Sequence, residues 1–319
     1  MNVNKSSCRR AFTSAIENIA EHDKSIYIIC TDSRGSVTAS DFAEKYPGQF
    51  VEAGIAEQNA VGIAAGLASV GKTAFVAGPA CFLSARSYEQ IKIDVAYNNF
   101  DVKIVGVSAG VSYGPLGGTH TSLHDFAGMR ALPNLEIFAP CDGVQTAFVT
   151  RYLATSGKPA YMRIGRGDVE NVYNNGENFE IFEINKIHKA KLVADGSDIT
   201  IIACGEMVLY AKKAAALLAS DGVSVRVLDM FCLKPADTEA ICKAARETKA
   251  IITVEEHSVH GGLGELVCGI TAKFCPVPVS IMGFPDEEYK VGSNTDLFRY
   301  YGLTPENIAD EARKRVILC

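Results

Sequence analysis

No window of about 18 uncharged apolar residues occurs anywhere in the 319-residue chain, so nothing in it reads as a membrane span and no membrane is an expected partner. No sign of charge dominates: 31 Lys plus Arg against 37 Asp plus Glu leave a net charge of −6, with no basic cluster. Neutralising a phosphate backbone needs a basic face, so nucleic acid is not an expected partner either. Residues 1–10 run into a helical pattern without an apolar signal core, so a cytoplasmic protein is expected rather than a secreted one. The ten cysteines include no C-x-x-C pair, and several lie in apolar runs, which points to reduced core thiols. A repeat of roughly 20 to 50 residues is also missing, which excludes a solenoid.

What is present is ordinary globular material, 48% hydrophobic and 21% charged, arranged in a strict rhythm. Strand-like runs at 25–31, 50–53, 73–77, 102–107, 135–139 and 160–164 alternate with helical patterns at 9–22, 56–70, 84–97 and 143–154. Strands separated by helices predict a mainly parallel sheet with helices on both faces. After Arg166 a polar stretch, 167–178, precedes a strand-like piece at 181–187, and the rhythm then restarts. Strands are expected at 199–203, 224–228, 251–254 and 279–282, with helices at 207–220, 238–248 and 263–274. The expectation is an α/β chain of two parallel-sheet domains, residues 1–170 and 196–319, joined by a linker at 171–195.

Three segments carry chemistry. In Ile55-Ala56-Glu57-Gln58-Asn59 a strand gives way to a helix rich in Ala and Gly, with Glu57 in its first turn, where the helix dipole favours a carboxylate. Residues 112–142 form a Gly-rich loop carrying His120 and His124, then a helix, then a strand ending at Ala139-Pro140. A metal between His120 and His124 is not expected, because no third ligand lies nearby in sequence. Glu255-Glu256-His257-Ser258-Val259-His260 also looks metal-like, but it follows an apolar strand and precedes a Gly-rich helix entry, so no metal is assigned there. Gly261-Gly262-Leu263-Gly264 is too isolated to read as a dinucleotide fingerprint.

Together with Gly118-Thr119-His120, Arg130-Ala131-Leu132-Pro133-Asn134, Ala139-Pro140-Cys141-Asp142-Gly143 and Tyr161-Met162-Arg163-Ile164-Gly165-Arg166, the first of these segments resembles the pyrimidine-binding domain of transketolases. Thr253-Val254-Glu255-Glu256-His257 followed by Gly261-Gly262-Leu263-Gly264-Glu265 resembles the transketolase C-terminal domain. The Gly-Asp-Gly motif of the diphosphate-binding domain is nowhere in the chain. The resemblance is therefore to the C-terminal subunit of a split transketolase, a transferase of two-carbon ketol units of the pentose phosphate kind.

Several expectations follow from that resemblance. The cofactor is thiamine diphosphate, with Mg2+ or Ca2+ held mainly by an N-terminal partner subunit that carries the diphosphate-binding domain. The assembly is a homodimer core within an α2β2 heterotetramer. Glu57 matches the glutamate that activates the aminopyrimidine, for which it must hold or share a proton, an arrangement that desolvation by the partner would favour. Phe82 matches an aromatic platform for that ring, and Arg86 matches the family's next helix. His120 matches a histidine near the donor ketose, while Arg9, Ser36 and Arg166 match residues that bind the sugar phosphate, a task suited to the planar fork of arginine. Leu116 stands where the family has an acid, and Ser108 where it commonly has a histidine, both positions that normally face the sugar. A leucine cannot accept a hydroxyl hydrogen bond, so a different ketose preference is implied. The rival reading is the β subunit of a 2-oxo acid dehydrogenase, with deoxyxylulose-phosphate synthase third and a non-catalytic partner-binding paralogue as the non-enzymatic alternative.

Overall fold

The computed structural model describes residues 4–173 and 183–318. Strand β1 (Lys5–Ser7) leads into a helix, Cys8–Ala20, that starts where the Ser7 hydroxyl accepts from Arg10 N at 3.4 Å. Phe12, Ile16 and Ala20 of that helix, four residues apart, are fully buried. Strands β2 (Ile26–Cys30), β3 (Phe50–Glu52), β4 (Thr73–Pro79), β5 (Val102–Val107), β6 (Glu136–Phe138) and β7 (Ala160–Ile164) form a parallel sheet in the order β6-β7-β5-β4-β2-β3. Being covered on both faces, β5 is buried throughout and apolar except at Lys103. The Lys103 ammonium is matched by the Asp101 carboxylate, the Lys158 carbonyl and Ser156 Oγ. Strand β8 (Asp168–Glu170) pairs antiparallel with β1.

The second sheet is built from β9 (Lys191–Ala194), β10 (Ile199–Ala203), β11 (Val225–Asp229), β13 (Ile251–Ser258) and β14 (Val279–Phe284), in the order β14-β13-β10-β11-β9, with only β9 antiparallel. The remaining strand, β12 (Cys232–Lys234), leaves this half of the chain and pairs antiparallel with β6, making a seventh strand of the first sheet. The two halves thus share a sheet edge. The nine described cysteines are free thiols, all buried except the half-buried Cys268. No described helix is long and apolar enough to cross a membrane.

The alternation read from the sequence is present, with some differences. Segment 171–195 is not a plain linker: it contains a 3-10 turn, Ile184–Lys186, and β9, whose pairing with β11 makes it an edge of the second sheet. The strand-like 181–187 is that turn where it is described, and residues 174–182 lie outside the described residues. The single helix expected at 84–97 is Ala80–Arg86, a short turn Tyr88–Gln90 and a π-helical Ile91–Tyr97. The buried Ser87 hydroxyl donates to the Leu83 carbonyl at 2.7 Å, a back-bond that bends helices, and marks the break. Two C-terminal helices, Asn294–Tyr300 and Pro305–Leu318, complete the second half.

Candidate active site

The loops that leave the C-terminal ends of β2, β3, β4 and β5 converge on one cavity of about 350 Å3, the usual position for a site in an open parallel sheet. Glu57 enters it as the first residue of helix Glu57–Ser69 and is only 5% exposed. The approach is fixed by Glu52, whose Oε1 accepts from Asp32 N at 2.7 Å and Gly54 N at 3.2 Å. Gly54 makes the turn with φ +74°, a conformation that costs glycine nothing.

Phe82 and Arg86 lie four residues apart on helix Ala80–Arg86 and so share one face. The Arg86 guanidinium stacks over the Phe82 ring at 3.9 Å and donates through Nη1 to Glu57 Oε1 at 2.8 Å. Its side chain is 48% exposed, so a buried carboxylate is paired with a half-exposed cation.

His120 follows the 3-10 segment Gly114–Thr119, which is broken at Gly117 (φ +71°). Its ring meets Phe82 edge-on at 5.2 Å and Tyr113 at 5.7 Å, and its Nδ1 lies 2.9 Å from Thr119 Oγ1. The glycines of this loop are explained by what lies behind it: a Cβ on Gly118 would sit 2.9 Å from the Tyr289 ring, and one on Gly114 2.4 Å from the Gly292 carbonyl. The second half of the chain therefore backs the loop that carries His120.

Arg9 donates through Nε to the Arg166 carbonyl at 2.9 Å and through Nη1 to the Ser36 carbonyl at 2.6 Å. Arg166 donates to the Tyr113 hydroxyl at 2.7 Å and lies over that ring at 4.7 Å. Burial first, then the neighbouring Arg166 charge, lowers the Arg9 pKa below its usual range. Both arginines line a neighbouring cavity of about 620 Å3, whereas Ser36 and Tyr113 line the cavity of Glu57. The pair of cations thus forms part of a wall between the two spaces.

The structure accordingly gathers Glu57, Phe82, Ser36 and His120 around one cavity, whereas Arg9 and Arg166 line the neighbouring one and reach the first only through their bonds to Ser36 and Tyr113. Leu116 lines it and is 54% exposed, but Ser108 does not: it is fully buried just after β5, at φ +57°, with its hydroxyl lacking a protein partner. Of the two departures from the family pattern, only Leu116 lines the cavity. Tyr113 belongs to no motif read in the sequence, and Arg86, read there only as matching the family's next helix, pairs with Glu57.

The second carboxylate-rich segment has a different character. Glu255 accepts from Leu263 N at 2.6 Å and Gly264 N at 2.7 Å, capping helix Leu263–Phe274, and burial raises its pKa to about 7. Glu256 accepts from Val111 N at 2.8 Å, and burial pushes it to about 8. The His257 ring stacks on Phe126 at 5.2 Å, and burial lowers it to about 4. Buried Arg163 joins this cluster to the first half, donating to the Glu256 carbonyl at 2.5 Å and pairing with Asp125 at 3.2 Å. Among the described residues no three His, Cys, Asp or Glu side chains gather as a metal site.

The geometry can be set beside known proteins. Residues 4–171 match the transketolase pyrimidine-binding domain and residues 188–308 the transketolase C-terminal domain. The chain is 51% identical, over 97% of both chains, to a subunit of the apulose-4-phosphate transketolase of Phocaeicola vulgatus. It is 37% identical to a putative transketolase C-terminal section of Methanocaldococcus jannaschii, covering 94% of this chain and 93% of that one. A solved structure, a split-gene transketolase described as an inactive β4 tetramer, superposes with a TM-score of 0.87 at 34% identity, covering 99% of both chains. With both domain models, near-full-length relatives and the fold in agreement, the chain belongs to the transketolase family, as a counterpart of the C-terminal subunits of its split members.

Proposed function

We propose that this chain supplies the pyrimidine-binding half of a thiamine diphosphate-dependent ketol transferase, the diphosphate half and its Mg2+ or Ca2+ coming from an N-terminal partner subunit. The observation that carries this reading is the nearly buried Glu57 at the mouth of a helix, facing a cavity that also presents the Phe82 ring and His120. The residues fit the cofactor's aminopyrimidine: a flat ring needs an aromatic face and a carboxylate at its edge, and the planar guanidinium of Arg86 already occupies such a place between Phe82 and Glu57. When bound, thiamine diphosphate supplies the nucleophilic carbon that accepts the two-carbon unit.

The chain's own residues do the rest. Glu57 holds the pyrimidine edge and exchanges the proton there, which is general acid–base work for a positioned carboxylate. His120, held by Thr119 and two aromatic rings, is placed to hydrogen-bond the ketose oxygens. Arg9 and Arg166, with Ser36, bind the phosphate of a sugar phosphate through charge-assisted hydrogen bonds. The assembly is read as α2β2 around a homodimer of this chain, and residues 1–170 and 196–319 as its two domains, the second extended by β9.

For the donor we take a ketose phosphate of the kind named for the 51% identical relative, apulose-4-phosphate, rather than a usual pentose phosphate. Leu116 supports this choice, since an apolar wall in the cavity disfavours a donor that needs a hydroxyl acceptor there. The test is reconstitution: the chain alone, given cofactor and magnesium, should be inactive, and addition of a diphosphate-domain subunit should produce ketol transfer. Turnover by the isolated chain would overturn the proposal. In the active complex, Leu116→Asp should shift the donor profile, and an unchanged profile would remove Leu116 from the substrate wall.

A further inference from the structure

Arg86 stands between two spaces. On one side is the cavity of about 350 Å3 that holds Phe82 and His120; on the other is an outer cleft of about 660 Å3 lined by Ile55, Gln58 and Asn59. Among the described residues, Glu57, Arg86 and Ile55 are the three that line both. The guanidinium carbon sits over the Phe82 ring, 3.9 Å from its centroid, and the group is tied to the Glu57 carboxylate by one hydrogen bond of 2.8 Å. Its side chain is 48% exposed and lines the outer cleft as well as the cavity.

Two flat groups cannot share one ring face or one carboxylate edge. On the reading given above, Phe82 and Glu57 are the seat of the aminopyrimidine. We infer that Arg86 is a displaceable self-ligand: its guanidinium occupies the Phe82 face and the Glu57 carboxylate that the pyrimidine requires, and it leaves toward the outer cleft when the cofactor enters. The arrangement has a physical rationale. A carboxylate taken out of water is costly unless paired, so Arg86 compensates Glu57 until the ring takes over the contact. Because the cation is half-exposed, that compensation is weak enough to be displaced.

The inference rests on the proposed cofactor but has its own test, in which the sign decides. Thiamine diphosphate binding is measured by calorimetry in the complex of this chain with its diphosphate-domain subunit, at saturating Mg2+, for the wild type, Arg86→Ala and Arg86→Lys. Removing a competitor tightens binding, so Arg86→Ala should lower Kd by about fivefold, the scale of one half-exposed ion pair and its cation–π contact. Arg86→Lys keeps a charge but loses the planar fork and should fall between. Inorganic pyrophosphate with Mg2+, which lacks the ring, should bind all three complexes equally. A weaker or unchanged Kd in Arg86→Ala, or a parallel gain for pyrophosphate, overturns the self-ligand while leaving the cofactor assignment standing. A wild-type complex that binds pyrophosphate and not thiamine diphosphate overturns both.

Discussion

Glu57 and Glu255 are both nearly or fully buried glutamates placed against the start of a helix, and they do opposite things. Glu255 gives its oxygens to two backbone N–H groups of helix Leu263–Phe274, so its contacts are fixed by the fold. Glu57 faces a cavity, and its partner is a side chain that is half in solvent. Around Glu255 lies a closed network of Arg163, Asp125, Glu256 and His257; around Glu57 lie rings and loops with space between them. Burial of a charge therefore does not by itself mark a site. What distinguishes Glu57, and supports the role proposed for it, is the cavity it faces and a partner that is half in solvent.

Breaking the open side should have the largest effect. Glu57→Gln retains shape and removes the acid–base group, so ketol transfer by the reconstituted enzyme should fall by roughly 10²- to 10⁴-fold. Its thermal unfolding should stay close to wild type. Near-native kcat in this variant would make Glu57 an ordinary helix-start residue. The closed side should respond in the reverse way. Arg163→Met leaves the buried Asp125 carboxylate without its cation and should cost about 3–5 kcal/mol in denaturant unfolding. A loss under 1 kcal/mol, about the worth of an exposed pair, would mean that the network is relaxed and hydrated rather than closed.

In the neighbouring cavity the expected effect is smaller and selective. Arg166→Ala should weaken phosphorylated substrates by about 1.5–3 kcal/mol in kcat/KM, the range for a charged hydrogen bond, with little change for unphosphorylated sugars. Equal losses for both classes would assign Arg166 to holding Tyr113 and the loop rather than phosphate.

Most of the architecture was legible because its signals are local. A run such as Val102–Val107 is apolar and β-branched enough to declare a buried strand, and Glu57 sits at a strand-to-helix transition that any periodicity reading finds. What escaped is non-local. Strand β12 is three residues long, ends beside Pro235 and has no alternation of its own; it is a strand only because β6 offers an edge. Strand β9 likewise owes its state to β11. In the site, Ser36, Arg9 and Arg166 come from three distant segments joined by side-chain-to-carbonyl bonds that no motif encodes. The burial of Ser108 depends on packing after β5, which spacing alone cannot reveal.

The smallest predicted effect uses pH to test the closed side. The folded-state pKa values of Glu255 and Glu256, about 7 and about 8, lie above the ordinary carboxylate range, so the native state holds more protons than the unfolded chain up to those values. Their contribution to stability is full below about pH 4.5 and is lost as pH rises through 7 to 8. His257 has the opposite sign: lowered to about 4, it contributes fully above its ordinary value of 6.5 and loses that contribution as pH falls toward 4. Below pH 6.5 the two trends oppose each other; between pH 6.5 and 8 the histidine term levels off while the carboxylates still change, Glu206 and Asp229, each raised to about 7 by burial, along with Glu255 and Glu256. Wild-type stability should therefore decline across that upper window, by about 1 kcal/mol for each carboxylate that titrates. Glu255→Gln should remove its share and flatten the slope. Denaturant unfolding at pH 6.5, 7.2 and 8 on the two proteins measures this directly. An identical slope in Glu255→Gln would show that Glu255 is ionised across the whole window, its charge carried by the Leu263 and Gly264 N–H groups alone.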